Sequence, residues 1–254
     1  MARKLRIQYP GAIYHLMNRG DHQERIFLND HDRERFLATL DESCQKTGWQ
    51  VHAYCLMSNH FHLVIETPSS NLVEGMKWLL GVYTCRFNLR HKVFGHLFSG
   101  RYKALIVDGS GSGYLKTVCD YVHLNPARAG LLRPEESLQS YRWSSYPLYV
   151  SESVPKPAWL RVDRLLGEWG LLWDHPGAGR QFAALMEARR QGELDEEFKP
   201  VQQGWCLGGE SFRAEMLRYV QEHRGKWRYE QRLIAWRKNH SLRGHFRNRE
   251  HLDA

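Results

Sequence analysis

The chain has no Cys-x-x-Cys pair. Its five cysteines, Cys44, Cys55, Cys85, Cys119 and Cys206, are scattered and odd in number. That spacing excludes a zinc knuckle and argues against a disulfide framework. Buried free thiols in a reducing cytosol are the simplest account. No run of about 18 apolar residues occurs, so no membrane-spanning helix is expected. The opening MARKLRIQYPG lacks the apolar core of a signal peptide, and a cytoplasmic protein is expected. Fixed-period repeats and long low-complexity tracts are also missing.

What is present is a chain of 254 residues, 42% hydrophobic and 12% aromatic, which can bury a real core and is not the composition of a disordered protein. Its formal net charge is +8. A basic balance of this kind suits a polyanion, most often nucleic acid.

Residues 12–20, AIYHLMNRG, read as a first strand closed by glycine. Asp30 to Thr47 reads as a helix, because Phe36, Leu37, Leu40 and Cys44 recur at helical spacing; Asn29 or Asp30 caps it and Gly48 ends it. Residues 49–57 and 60–67 are rich in strand formers, with turn-like Ser58-Asn59 between them. A second helix spans Asn71 to about Arg90, with Leu72, Met76, Leu79, Tyr83 and Phe87 on one side. Arg101 to Val107 reads as a strand and Tyr114 to Leu124 as a third helix, which Pro126 is expected to stop.

The first six elements give the βαββαβ order of a ferredoxin-like α+β fold: an antiparallel sheet with helices on one face, to which the third helix is an addition. Residues 131–150 read as an aromatic tail packed on this first domain, residues 1–150. Residues 151–254 read as a mostly helical region. Its last part, 224–250, holds nine Lys or Arg against two Glu, with Trp227, Tyr229, Trp236 and Phe246 interleaved, which is a composition suited to nucleic-acid contact.

Two stretches carry chemistry. In MSNHFHLVIE, residues 57–66, His60 and His62 share one face of a strand, about 6.5–7 Å apart along it. Two neutral imidazoles there can converge on one cation, although a third ligand must come from elsewhere. Two structural histidines would look the same. In YLKTVCDYVHLNP, residues 114–126, Leu115, Val118, Cys119 and Val122 form an apolar helical stripe. Tyr114, Thr117, Tyr121 and Asn125 line another face. Tyr121 and Asn125 are one turn apart, so a phenol and a carboxamide can meet one phosphate. A half-buried aromatic and a helix cap are the structural alternative.

Together, HxH followed by Tyr-x-x-x-Asn resembles the HUH single-tyrosine transposases, and within them the REP-associated tyrosine transposases. GAIYHLMNRG, CLMSNHFHLVIE, YVHLNPARAGL and YRWSSY carry the likeness, over roughly residues 5–150. The resemblance implies a DNA nicking and joining enzyme used in transposition or repeat processing. His60 and His62 would hold one Mg²⁺ or Mn²⁺, with Asn125 as third ligand; relatives outside the REP-associated group often have glutamine there. Tyr121 would attack single-stranded or hairpin DNA and form a 5′-phosphotyrosine link. Tyr114 is the rival nucleophile, two turns earlier on the same face. Such enzymes act as monomers or homodimers. Arg19, Arg101 and Lys103 are candidate phosphate contacts. Two other classes stay open: a hairpin-binding module that does not cut, and a metal phosphodiesterase that uses water.

Overall fold

The computed structural model describes residues 6–192 and 194–223. Its elements follow the expected order: β1 (Ala12–Arg19), α1 (Asp30–Thr47), β2 (Gln50–Leu56), β3 (His60–Thr67), α2 (Leu72–His91), β4 (Lys103–Val107) and α3 (Tyr114–Arg128). Four short helices follow, α4 (Tyr146–Val150), α5 (Asp163–Glu168), α6 (Ala178–Arg190) and α7 (Asp195–Gln203), and then a two-residue strand, β5 (Cys206–Leu207). Residues 8–209 make one compact unit; residues 210–223 are helical and belong to another. The basic stretch 224–250 lies outside the described residues.

The strands run β2-β3-β1-β4-β5 across one sheet. The first four pair antiparallel, as the βαββαβ order requires. The parallel pairing of β5 with β4 was not expected from the sequence.

Local chemistry sets the helix ends. Asn29 and Asp32 form a reciprocal capping box at the start of α1, and Gly48 closes its end in the left-handed conformation at φ 72°. Pro126 does not stop α3, contrary to expectation. It sits in the last turn, where it forgoes one bond to the carbonyl a turn earlier, yet the helix runs two residues further to Arg128. The stop comes from Gly130, at φ 67°. Gly130 N–H donates to Ala127 O, and Leu131 N–H donates to Pro126 O at 2.9 Å. These two bonds are the Schellman pattern.

Alternation along β3 sends its residues to two different layers. Phe61 meets Phe36 of α1 with ring centroids 5.0 Å apart, and Phe36 meets Tyr83 of α2. His62 on the opposite face meets Tyr121 of α3. Helices α1 and α2 therefore cover one face and α3 the other. Packing of α2 depends on Gly75, where a Cβ would fall 2.1 Å from the Trp49 ring. The α3 stripe is as expected: Leu115, Val118, Cys119 and Val122 are fully buried. Each of the three aliphatic side chains contributes about 1.5–3 kcal/mol by leaving water.

Both sheet edges are covered by later chain. Along β2, Leu56 N–H donates to Trp143 O, Val51 N–H to Trp159 O, and Arg161 N–H to Val51 O. Along β4, β5 supplies the pairing. Covered edges do not recruit strands from other chains. The aromatic tail docks by its hydroxyls as well as its rings: Tyr141 donates to Leu56 O and Tyr149 to His52 O. Ser145 joins the tail to α3, since its Oγ lies 2.8 Å from His123 Nε2 and accepts from Tyr54 N–H. Four of the five free cysteines are buried as expected; Cys85 is exposed.

Candidate active site

The face of the sheet beneath α3 is built by register. His60 lies opposite Arg19, and His62 opposite Met17 on one side and Cys55 on the other. Lys103 pairs with Met17 from β4, so Arg19, Lys103 and both histidines share this face. The two imidazoles stand edge to face, centroids 5.0 Å apart. His62 is buried and His60 half-buried.

Helix α3 lowers two side chains onto this pair. The Tyr121 ring stands edge-on to His62 at 5.6 Å, and Asn125 Nδ2 is 3.3 Å from His62 Nε2. The Asn125 carboxamide also interacts with the Tyr121 hydroxyl. All four candidates from the two motifs thus meet at one place. Tyr114 does not join them; its hydroxyl sits 3.9 Å from where a Cβ on Gly209 would be.

Each histidine has its Nδ1 engaged by a neighbouring side chain. His60 Nδ1 is 2.7 Å from Asn59 Oδ1, and Asn59 Nδ2 donates to Gln23 O. The amide orientation makes Oδ1 the acceptor, so His60 carries its proton on Nδ1. His62 Nδ1 is 2.9 Å from His15 Nε2, with the two rings nearly coplanar. Nε2 is then the nitrogen each imidazole offers a cation. Burial, with Arg19 nearby, holds His60 down to about 4. Burial first, and the neighbouring His15, His60 and Arg19 after it, hold His62 well below the usual imidazole range. Both rings are neutral at pH 7, as a metal ligand must be.

Two imidazole nitrogens and a carboxamide oxygen fit a divalent cation that takes its other ligands from phosphate and water. Among the described residues no three His, Cys, Asp or Glu side chains gather into an all-protein cage. Burial raises the Tyr121 phenol above its ordinary value, while the Arg128 guanidinium and the Asn125 amide pull the other way. Arg128 lies 5.9 Å from the Tyr121 ring centre.

Residues 8–125 match the family model described as IS200-like transposase. Over these residues, a little under half of its length, the chain is similar to the IS200-like transposases. No curated protein matches it. Among solved structures it is similar to a REP-associated tyrosine transposase bound to a REP hairpin, at 10% identity and TM-score 0.49, over 63% of this chain and 91% of that one. It is also similar to a candidate transposase from Deinococcus radiodurans R1, at 19% identity and TM-score 0.34, over 51% of this chain and 92% of that one.

The phosphate candidates fall in two places. Arg19 and Lys103 are exposed on the histidine-bearing face. Arg101 is also exposed but precedes β4, so no strand register places it on that face.

Several neighbours of Tyr121 escaped the sequence reading. His15 stacks edge-on to it at 5.7 Å, and Phe198 of α7 packs its ring at 5.4 Å. Asp120, the residue before it, is fully buried and ion-paired to Arg189 of α6 at 2.9 Å. Burial outweighs that pairing and pushes the Asp120 carboxyl up to about 7. Arg189 also pairs with Glu197 of α7, so one guanidinium ties α3, α6 and α7 together. Strand alternation in YHLMNRG could have revealed His15, which shares a face with Met17 and Arg19. Nothing local marks Phe198 or Arg189, because their partners are far away in sequence.

Proposed function

We propose that this chain is a transposase: a metal-dependent, single-strand-specific DNA endonuclease and strand transferase acting on hairpin or palindromic DNA through a 5′-phosphotyrosine intermediate. One observation supports the reading above the rest: His60, His62, Asn125 and Tyr121 gather under α3 on a sheet face that also carries Arg19 and Lys103.

His60 and His62, through Nε2, and Asn125, through its amide oxygen once the carboxamide turns over from its Nδ2–His62 contact, would hold one Mg²⁺ or Mn²⁺, which would supply charge to polarise the scissile phosphate. Arg19, Lys103 and Arg101 hold neighbouring phosphates, fixing register rather than reading sequence. The Tyr121 oxygen attacks phosphorus and a P–O bond to tyrosine forms. The P–O3′ bond breaks, the phenol loses its proton, and the leaving oxygen ends as a 3′-hydroxyl. Because the phenol is protonated at neutral pH, Arg128 beside it favours the developing phenolate. The covalent step divides one hard displacement into two easier ones. A second 3′-hydroxyl attacks the tyrosyl ester in reverse, so joining needs no nucleotide cofactor. Net charge +8 suits this substrate, and the reaction belongs in the cytoplasm, beside the DNA.

The test uses hairpin DNA labelled on the 3′ side of the cut, incubated with the protein and Mn²⁺ and run on a denaturing gel. The expected result is a labelled protein adduct. Cleavage without adduct supports water as nucleophile, and binding without cleavage supports a binding module; either outcome contradicts the proposal.

A further inference from the structure

We infer that His15 is a positioning residue for the metal site: it fixes the tautomer and ring orientation of His62. The inference rests on the metal reading above and adds a residue outside the HxH and Tyr-x-x-x-Asn motifs.

His15 and His62 are diagonal neighbours on adjacent strands, since His15 pairs with Val64 and Met17 with His62. Diagonal pairs of long or aromatic side chains reach one another across a sheet. Here the rings lie nearly coplanar, centroids 5.1 Å apart with 13° between planes, and His15 Nε2 sits 2.9 Å from His62 Nδ1. Both rings are buried, so water does not compete for the bond.

The direction of the bond follows from the other nitrogen of His62. Asn125 Nδ2 faces His62 Nε2 at 3.3 Å, and an amide nitrogen only donates. His62 Nε2 is therefore the bare nitrogen and Nδ1 carries the hydrogen. His15 Nε2 accepts it and must itself be unprotonated. The order of donation runs from Asn125 to His62 to His15. The same tautomer exposes the Nε2 lone pair toward Asn125 and Tyr121. A ligating imidazole whose second nitrogen donates to a fixed acceptor is held in place and made more basic. Asn59 in the β2–β3 turn does the same for His60. Tyr121 leans on both His15 and His62, so the histidine pair also sets where the nucleophile's ring can lie.

Three measurements on the full chain test this. The first is ¹⁵N NMR of wild-type imidazoles without metal: His62 is expected protonated at Nδ1 only, with His15 Nε2 unprotonated. A His15 that donates from Nε2 would overturn the inference. The second is Mn²⁺ binding, read by electron paramagnetic resonance. His15→Phe keeps a ring without an acceptor and is expected to bind about 10–100-fold more weakly. His15→Gln, whose amide oxygen accepts, is expected within about fivefold of wild type. The third is hairpin-DNA affinity without metal, expected unchanged in both variants; a matching loss there would mean a general structural defect and would overturn a positioning role. If His62→Ala abolishes Mn²⁺ binding while His15→Phe leaves it intact, the metal site stands and the role of His15 falls. If His62→Ala leaves Mn²⁺ binding intact, the metal reading fails and takes this inference with it.

Discussion

Asn125 and Tyr121, four residues apart on α3, converge on the same imidazole: the amide nitrogen is 3.3 Å from His62 Nε2 and the phenol ring 5.6 Å from the His62 ring centre. One turn of helix brings a candidate ligand and a candidate nucleophile to one point. Tyr121→Phe is expected to remove covalent adduct and cleavage, by at least about a thousandfold in rate. Hairpin binding and melting temperature should hold. Tyr114→Phe should leave adduct formation within about twofold, because that hydroxyl lies near Gly209 instead. A gel comparing the two variants checks this; cleavage retained in Tyr121→Phe and lost in Tyr114→Phe would reverse the assignment.

The donor set makes cleavage depend on a cation. Chelation should abolish cleavage, and added Mn²⁺ should restore it. His60→Ala, His62→Ala and Asn125→Ala should each weaken Mn²⁺ binding measured by titration calorimetry, while hairpin affinity measured in chelator stays near wild type. Full cleavage in the presence of chelator would contradict this.

Buried neutral histidines make the fold acid-sensitive. Burial holds His15 at about 4 and His123 at about 3, against about 6.5 when unfolded. Below 6.5 the unfolded chain takes up protons that the folded chain refuses. Stability is therefore complete above pH 6.5 and falls as pH drops toward the folded values. At pH 4.5 each of the two should have cost on the order of 2 kcal/mol. Urea midpoints at pH 7.5 and 4.5 measure it, and equal midpoints would contradict it.

Arg189 is the partner of a carboxyl that has no access to water. Arg189→Ala removes the ion-pair partner of Asp120 in the core, leaving Trp169 Nε1–H donating to it, and frees Glu197. The expected destabilisation is about 3 kcal/mol, read from denaturant unfolding at pH 7.5. A loss below about 0.5 kcal/mol would show that the pair holds nothing together.

The βαββαβ order was legible because its signals are local. Asn29 and Gly48 bracket α1, strand formers alternate through β3, and Leu115, Val118 and Val122 keep helical period through α3. The end of α3 lies beyond Pro126 because losing one backbone bond does not end a helix, whereas Gly130, in the left-handed conformation, closes it with two capping bonds. Strand β5 is two residues long and exists only by pairing with β4, which no local pattern announces. The site divided in the same way. His60, His62, Tyr121 and Asn125 stand in short motifs whose spacing follows strand and helix geometry. His15 needed the register between β1 and β3, and Phe198 and Arg189 needed the path of the chain after residue 150.

The most direct measurement is mass spectrometry of the protease-digested adduct formed on hairpin DNA with Mn²⁺. The account predicts a nucleotide joined through its 5′ phosphate to the peptide that contains Tyr121, with the other DNA fragment ending in a 3′-hydroxyl. A nucleotide on any other residue, or a free 5′ phosphate with no protein attached, would contradict it.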